Sequence, residues 1–300
     1  MTIPRYDYLP VSLFGAIKPE TCRFEDARAV VLPVPLERTT SYVPGTRNAP
    51  REILLASSQM ELWDEETRTD AQDLGVFTLP EMELPFPGMP EALAEITRVV
   101  GELVDARKFV VVLGGEHSIT PAVVEALAGR VAGLSVLQID AHADLRDSYM
   151  DNRFSHASAM RRVLAHARCT QVGIRSMSRE EAAALPSLQT RIFFDCDMRQ
   201  DPSWMDHVVE SLGEKVYVTI DCDGFDPGIM PAVGTPEPGG LGWIEALTLL
   251  RKVFAQRQVV GADIVELSPI PGLVAPNFLC ARLLFKMLAY RFATVASRQA

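Results

Sequence analysis

Cysteine is scarce in this sequence, long uncharged runs are missing, and there is no excess of basic residues. Each shortage removes a class of protein. The five cysteines, Cys22, Cys169, Cys196, Cys222 and Cys280, are scattered, odd in number and never form a Cys-x-x-Cys pair. Neither a disulfide framework nor a zinc ribbon fits. The longest stretch free of Asp, Glu, Lys and Arg is 15 residues, 267–281, and contains Pro269, Pro271 and Pro276. That is too short and too interrupted to span a membrane. No apolar segment follows Arg5 and Asp7, so no secretion signal is expected and the cytoplasm is the expected location. Basic residues number 29 against 39 acidic ones, a net charge of −10, and no basic stripe offers a track for phosphates. Nucleic acid is therefore not an expected partner; a small cation suits the field better. A hydrophobic content of 48% with 23% charged residues excludes a disordered chain.

No repeat or flexible linker divides the chain, so one domain over residues 1–300 is expected. Short apolar runs rich in Val and Ile occupy residues 29–35, 109–114, 134–139, 171–174, 191–194, 216–220 and 259–265. Their lack of polar alternation predicts strands buried on both faces. Between them, helical patterning is expected over 90–108, 120–127, 155–167, 179–185, 204–212, 243–254 and 277–292. The alternation predicts an α/β fold of three layers, with helices on both faces of a mainly parallel sheet.

In such sheets ligands bind beyond the carboxyl ends of the strands. Four predicted strands end in polar residues: Gly114-Gly115-Glu116-His117, Asp140-Ala141-His142-Ala143-Asp144, Asp221-Cys222-Asp223, and Glu266. Strand periodicity would put Asp140, His142 and Asp144 on one side, and Asp221 with Asp223, turning Cys222 away. Four aspartates gathered near His117 and His142 would repel strongly, and their desolvation adds several kcal/mol per ion. Two divalent cations would balance them, and carboxylates with imidazoles favour Mn²⁺, Fe²⁺ or Co²⁺ over a thiolate-type zinc site.

The segments Gly114-Gly115-Glu116-His117-Ser118-Ile119, Asp140-Ala141-His142-Ala143-Asp144, Ser155-His156, Asp221-Cys222-Asp223-Gly224-Phe225-Asp226-Pro227, Gly234-Thr235-Pro236-Glu237-Pro238-Gly239-Gly240 and Glu266-Leu267-Ser268-Pro269 resemble, in order, the ureohydrolase family of arginase and agmatinase. The front segment, Thr39-Thr40-Ser41-Tyr42 through Pro50-Arg51, is similar to the agmatinase branch. This resemblance implies an arginase-like fold and two Mn²⁺ ions per subunit. His117, Asp140, Asp144 and Asp221 would hold the first, and Asp140, His142, Asp221 and Asp223 the second. A water between them, acidified by the ions, would attack a guanidinium carbon of agmatine, giving urea and putrescine. His156 would protonate the leaving amine, whose conjugate acid has a pKa near that of lysine, about 10.4. Asp144 would accept a proton from the nucleophile. Glu266 would grip the guanidinium through charge-assisted hydrogen bonds, and Thr235 would add another. Relatives of this kind imply a homo-oligomer, a trimer or hexamer.

Aminopropylagmatine, 4-guanidinobutyrate, arginine and formimidoylglutamate remain alternative substrates, and a non-catalytic metal-binding homologue is a further reading. A two-metal phosphoesterase would carry Gly-Asn-His, and a phosphate loop Gly-Lys-Ser/Thr; neither is present. Residues 145–155 are expected to line the far end of the substrate pocket, with Asp147, Asp151 or Glu237 meeting a distal ammonium. Asp195-Cys196-Asp197 copies the second aspartate motif but lacks its Gly-Phe-Asp-Pro continuation, so a surface loop is expected. His166 and His207 are expected to be solvated. Ala157 and Cys222 depart from the family's more usual glycine and aliphatic residue.

Overall fold

In the computed structural model, which describes residues 8–9, 13–18, 20–85 and 88–293, twelve strands and nine α-helices follow one another along the chain. Eight strands form the central sheet: β2 (Ala29–Val34), β5 (Val76–Thr78), β7 (Phe109–Gly114), β8 (Leu134–Ile139), β9 (Arg168–Ile174), β10 (Thr190–Phe194), β11 (Lys215–Asp221) and β12 (Gln258–Val265). Every pairing in this sheet is parallel, in the order β10-β9-β8-β11-β12-β7-β2-β5. Two antiparallel ribbons, β1 (Tyr8–Leu9) with β6 (Glu81–Met82) and β3 (Trp63–Asp64) with β4 (Thr69–Asp70), lie outside it.

The side-chain period of two sends alternate strand residues into two apolar layers. Val31, Val111 and Leu113 pack on one face, while Val30, Val110 and Val112 pack on the other. The first layer is closed by α1 (Ala49–Ser57), α7 (Trp204–Ser211), α8 (Trp243–Gln256) and α9 (Ala275–Phe292). The second is closed by α2 (Met89–Asp105), α3 (Thr120–Ala128) and α4 (Ala159–Val163). Four helices, α1, α2, α3 and α9, carry proline in the first turn, where the missing N–H would have had no intrahelical partner.

All seven expected strands are present. The expected helix over 155–167 is shorter, a 3₁₀ turn at His156–Ser158 followed by α4. The edge strand β5, the ribbons and α1 had not been expected. Asp195-Cys196-Asp197 opens a helical turn, α6 (Asp195–Met198), rather than a loop, with Asp195 3.1 Å from Arg199. The remaining helix is α5 (Arg179–Ala184). No helix among the described residues is long and apolar enough to cross a membrane.

Candidate metal centre

Topology explains why four separate motifs meet. Strands β8, β11, β12 and β7 are consecutive in the sheet, although β8 is followed in sequence by β9 and β10, which lie further out. The loops leaving these four central strands carry Asp140–Asp144, Asp221–Asp223, Glu266 and His117, and they open on a single rim where ligands of open α/β sheets bind. Two glycines permit the close approach. A Cβ at Gly224 would stand 2.8 Å from the Asp140 backbone nitrogen, and one at Gly115 only 2.0 Å from the Leu36 carbonyl oxygen.

Asp140, His142 and Asp144 do share one surface, but not by continued pleating. Strand β8 stops at Ile139, His142 keeps a single bridge to Ser176, and Asp144 turns back in the left-handed region at φ 52°. Glu266 likewise sits at φ 62°. Such backbone costs roughly 1–2 kcal/mol per residue, and here it falls on two carboxylates of one cavity. Ala141 and Ala143 are buried behind them.

His117 Nδ1 lies 3.1 Å from Asp140 Oδ2, 3.2 Å from Asp144 Oδ2 and 3.2 Å from Asp221 Oδ2, yet it has no well-aligned hydrogen-bond partner. Three carboxylate oxygens and a ring nitrogen thus converge on a point. Alongside, His142 Nδ1 stands 2.8 Å from Asp223 Oδ2 and 3.7 Å from Asp140 Oδ1. Two triads suited to a metal result, His117 with Asp140 and Asp221, and Asp140 with His142 and Asp223; Asp140 belongs to both. Backbone amides hold the remaining oxygens: His142 N–H donates to Asp140 (2.6 Å), Ala141 N–H to Asp223 (3.0 Å) and Asp223 N–H to Asp221 (2.9 Å). Gln138 also donates to Asp140 (2.6 Å).

No Lys or Arg among the described residues pairs with any of the four aspartates. Burial, then the charges of Asp223 and Asp144, push the Asp140 carboxyl up to about 7, and burial with Asp223 and Asp140 raises Asp221 well above the carboxylate range. Burial would raise Asp223 too, but His142 outweighs it and holds it at about 2. Burial opposes the charge on His117 and His142, yet the surrounding carboxylates raise both far above an ordinary imidazole. Carboxylates crowd here with no Lys or Arg to balance them, and hard oxygens with imidazole nitrogens fit a pair of divalent ions.

Beneath His117 lies a buried network that sequence reading missed. His117 Nε2 is 2.9 Å from Thr219 Oγ1, which is 3.4 Å from Thr120 Oγ1; Thr120 donates to Asp263 Oδ2 at 2.8 Å, as does Tyr217 at 2.7 Å. Thr120 has committed its proton to Asp263, so Thr219 donates to Thr120 and accepts from His117 Nε2–H. In the neutral ring that a metal would require, that order leaves Nδ1 as the lone-pair nitrogen facing the carboxylates. Asp263→Asn should therefore weaken metal uptake by roughly 10–100-fold, the usual cost of losing an orienting partner, as read by chelator competition.

His142, Asp144, Asp221 and Asp223 form one wall of a cavity of about 220 Å³, whose lining also includes His156, Thr235 and Glu266. Glu266 accepts the His117 amide at 2.6 Å, and burial raises its carboxyl well above the usual range despite that bond. His156 is held by residues the motifs did not single out. Its backbone N–H donates to Thr39 Oγ1 (3.0 Å), its Nδ1 is 3.3 Å from the same oxygen, and Nε2 faces Ser41 Oγ at 3.3 Å. Thr39 in turn donates to Glu116, a buried carboxylate that also accepts from Ser118 and from the amides of Arg38 and Thr39. With the Thr39 proton spent on Glu116, Thr39 can only accept from Nδ1, and in that tautomer Nε2 is the nitrogen left to exchange a proton.

From the loop 145–155, Arg146 and Tyr149 line the cavity. The three carboxylates expected to meet a distal ammonium do not. Asp147 points to Arg162, 2.5 Å away; Glu237 stands 3.9 Å from His142 Nε2; and Asp151 is exposed outside the cavity lining. In their place the buried Glu181 faces this end, fixed by the amides of Leu145 (2.8 Å) and Ser178 (2.7 Å) and 3.8 Å from Arg146. The spacing Ser178-x-x-Glu181, a capping box, was the sequence signal for it. Cys222 points into the core against Cys280, at 3.5 Å. His166 is exposed, whereas His207 is half-buried and bonded to Asp201 at 2.8 Å.

Residues 27–289 match the arginase family. An N(1)-aminopropylagmatine ureohydrolase of Synechocystis sp. is 41% identical over 275 residues, covering 89% of this chain and 90% of that protein. An agmatinase of Pyrococcus horikoshii is 34% identical over 273 residues, covering 89% and 93%. Among solved structures, the agmatine ureohydrolase of Thermoplasma volcanium superposes with a TM-score of 0.84 at 31% identity, covering 94% of this chain and 95% of that one. Sheet order, converging strand ends and sequence relationship agree, and this chain belongs to the arginase family.

Proposed function

We propose that this protein is a binuclear manganese ureohydrolase that releases urea from a linear aminoalkyl guanidine, with aminopropylagmatine ahead of agmatine as substrate. The observation that carries the reading is the pair of triads sharing Asp140, three of whose members, His142, Asp221 and Asp223, line a cavity that also holds Glu266 and His156. His117, Asp140, Asp144 and Asp221 would hold one ion, and Asp140, His142, Asp221 and Asp223 the other. When bound, two dications supply a water nucleophile at neutral pH. Glu266 receives the guanidinium, Thr235 steadies it, and Asp144 takes a proton as the nucleophile adds. His156 delivers the proton that lets the amine leave, because an alkyl amide anion cannot depart in water.

The order of substrates rests on the relatives: an aminopropylagmatine ureohydrolase is 41% identical, against 34% for an agmatinase. Agmatine, implied by the front segment, becomes the second candidate. Urea release after Mn²⁺ loading, measured on aminopropylagmatine, agmatine, arginine and 4-guanidinobutyrate, tests the assignment. kcat/KM on aminopropylagmatine should exceed that on agmatine by about tenfold or more, a difference of 1.4 kcal/mol in transition-state binding. A preference for arginine or 4-guanidinobutyrate would overturn it.

A further inference from the structure

A row of polar side chains crosses the central sheet beneath the metal centre. Gln171 of β9, Gln138 of β8, Thr219 of β11 and Asp263 of β12 are register neighbours across four adjacent strands, and none is exposed to solvent. Side chains paired in register share a face of the sheet, and buried polar groups there are costly unless hydrogen-bonded. Thr219 and Asp263 orient His117. The other half of the row serves Asp140. Gln138 Nε2 donates to Asp140 Oδ2 (2.6 Å) and reaches the His142 carbonyl at 3.4 Å; Gln171 Nε2 donates to Gln138 Oε1 (2.5 Å) and to the Ala143 carbonyl (2.7 Å). Thr190, on the edge strand β10, closes the series by donating to Gln171 Oε1 at 2.8 Å. Every donor points toward Asp140. The direction is forced, because the His142 and Ala143 carbonyls can only accept, so each glutamine turns its Nε2 to them and leaves Oε1 for the next donor outward.

We propose that Gln138, Gln171 and Thr190 are a positioning chain that fixes the carboxylate shared by both metal triads. Asp140 accepts the His142 amide at Oδ1 and Gln138 at Oδ2, so it cannot turn about its Cβ–Cγ bond without breaking one of the two. Gln171 keeps the Gln138 amide from flipping, because a flip would set Oε1 against Asp140 Oδ2 and Nε2 against the Gln171 donor. Through the Ala143 carbonyl Gln171 also anchors the segment between His142 and Asp144. Thr190 fixes Gln171 in the same way. A carboxylate already oriented loses less freedom on taking a cation than one that must first be turned, so the chain's effect falls on metal affinity. This role rests on the two-ion function proposed above.

Mn²⁺ titration of the full chain under chelator competition, with electron paramagnetic resonance to separate coupled ion pairs from single ions, tests the chain. Gln138→Met should weaken Mn²⁺ binding by roughly 10–100-fold, the cost of losing an orienting partner, and at limiting Mn²⁺ shift the signal from coupled pairs toward single ions. Thr190→Val, which keeps its shape and sits half-buried at the sheet edge, should weaken binding about threefold, because the outermost bond of a polarised chain strengthens the next only in part. That loss should vanish in the Gln171→Met background, since Thr190 acts through Gln171. Unchanged Mn²⁺ affinity in Gln138→Met overturns the chain; should that variant fail to fold, unchanged affinity in Thr190→Val overturns it instead. Equal Thr190→Val losses with and without Gln171 also overturn it. A wild-type protein that takes up no Mn²⁺ overturns both the chain and the proposed function, whereas two bound ions without urea release from any guanidino substrate overturn the function alone.

Discussion

Asp221→Ala is expected to abolish metal retention and urea release together. Asp221 Oδ2 faces His117 Nδ1 at 3.2 Å, while its other oxygen takes the Asp223 amide, so one carboxylate shapes both triads. Truncation removes a proposed ligand and frees the short 3₁₀ turn Cys222–Gly224 that Asp221 caps. The loss of affinity should exceed the roughly 100-fold that marks the upper end for an orienting partner. The fold itself should survive. The deletion relieves repulsion among carboxylates that burial and Asp140 already disfavour as anions, so unfolding without metal should shift little or toward higher stability. Metal content by elemental analysis, beside a melting curve, separates the two effects; a variant that keeps two tightly bound ions contradicts the bridging role.

The architecture was legible because double coverage leaves a strong trace: strands apolar throughout, broken by prolines at helix starts. The metal triads were legible for a related reason. Several Asp and His side chains at the ends of buried strands have no ordinary structural use, and four such endings in one chain reinforce one another. What escaped notice had no pattern to betray it. Asp263 is a lone carboxylate inside an apolar strand, and its meaning appears only when β11 and the start of α3 bring Tyr217, Thr219 and Thr120 around it. Glu116 and Thr39 lie 77 positions apart, so their bond is invisible to local reading. β5 has three residues at a sheet edge, too few for periodicity to show. The expected distal carboxylates failed for a different reason: charge in a loop does not specify direction, and Arg162 draws Asp147 to the opposite side.

His156→Ala should lower kcat by about 10²–10⁴-fold, the range for a positioned general acid, while both ions stay bound. Neither ring nitrogen approaches the aspartate clusters as a ligand; Nδ1 is engaged by Thr39 and Nε2 faces Ser41 in the cavity. The imidazole therefore presents Nε2 to the cavity, as the proposed proton delivery requires. Glu116 takes the Thr39 hydroxyl proton, which fixes Thr39 where it holds Nδ1 of the ring. Thr39→Val breaks the relay without touching the ring, so it should reproduce part of the loss. Its effect should be largely absent in the His156→Ala background, since the threonine acts through the histidine. Metal stoichiometry and single-turnover rates on the guanidino substrate decide the matter. If His156→Ala loses an ion, the side chain is a ligand; if the two losses simply add, Thr39 acts on the substrate directly and the relay through Glu116 has no part in catalysis.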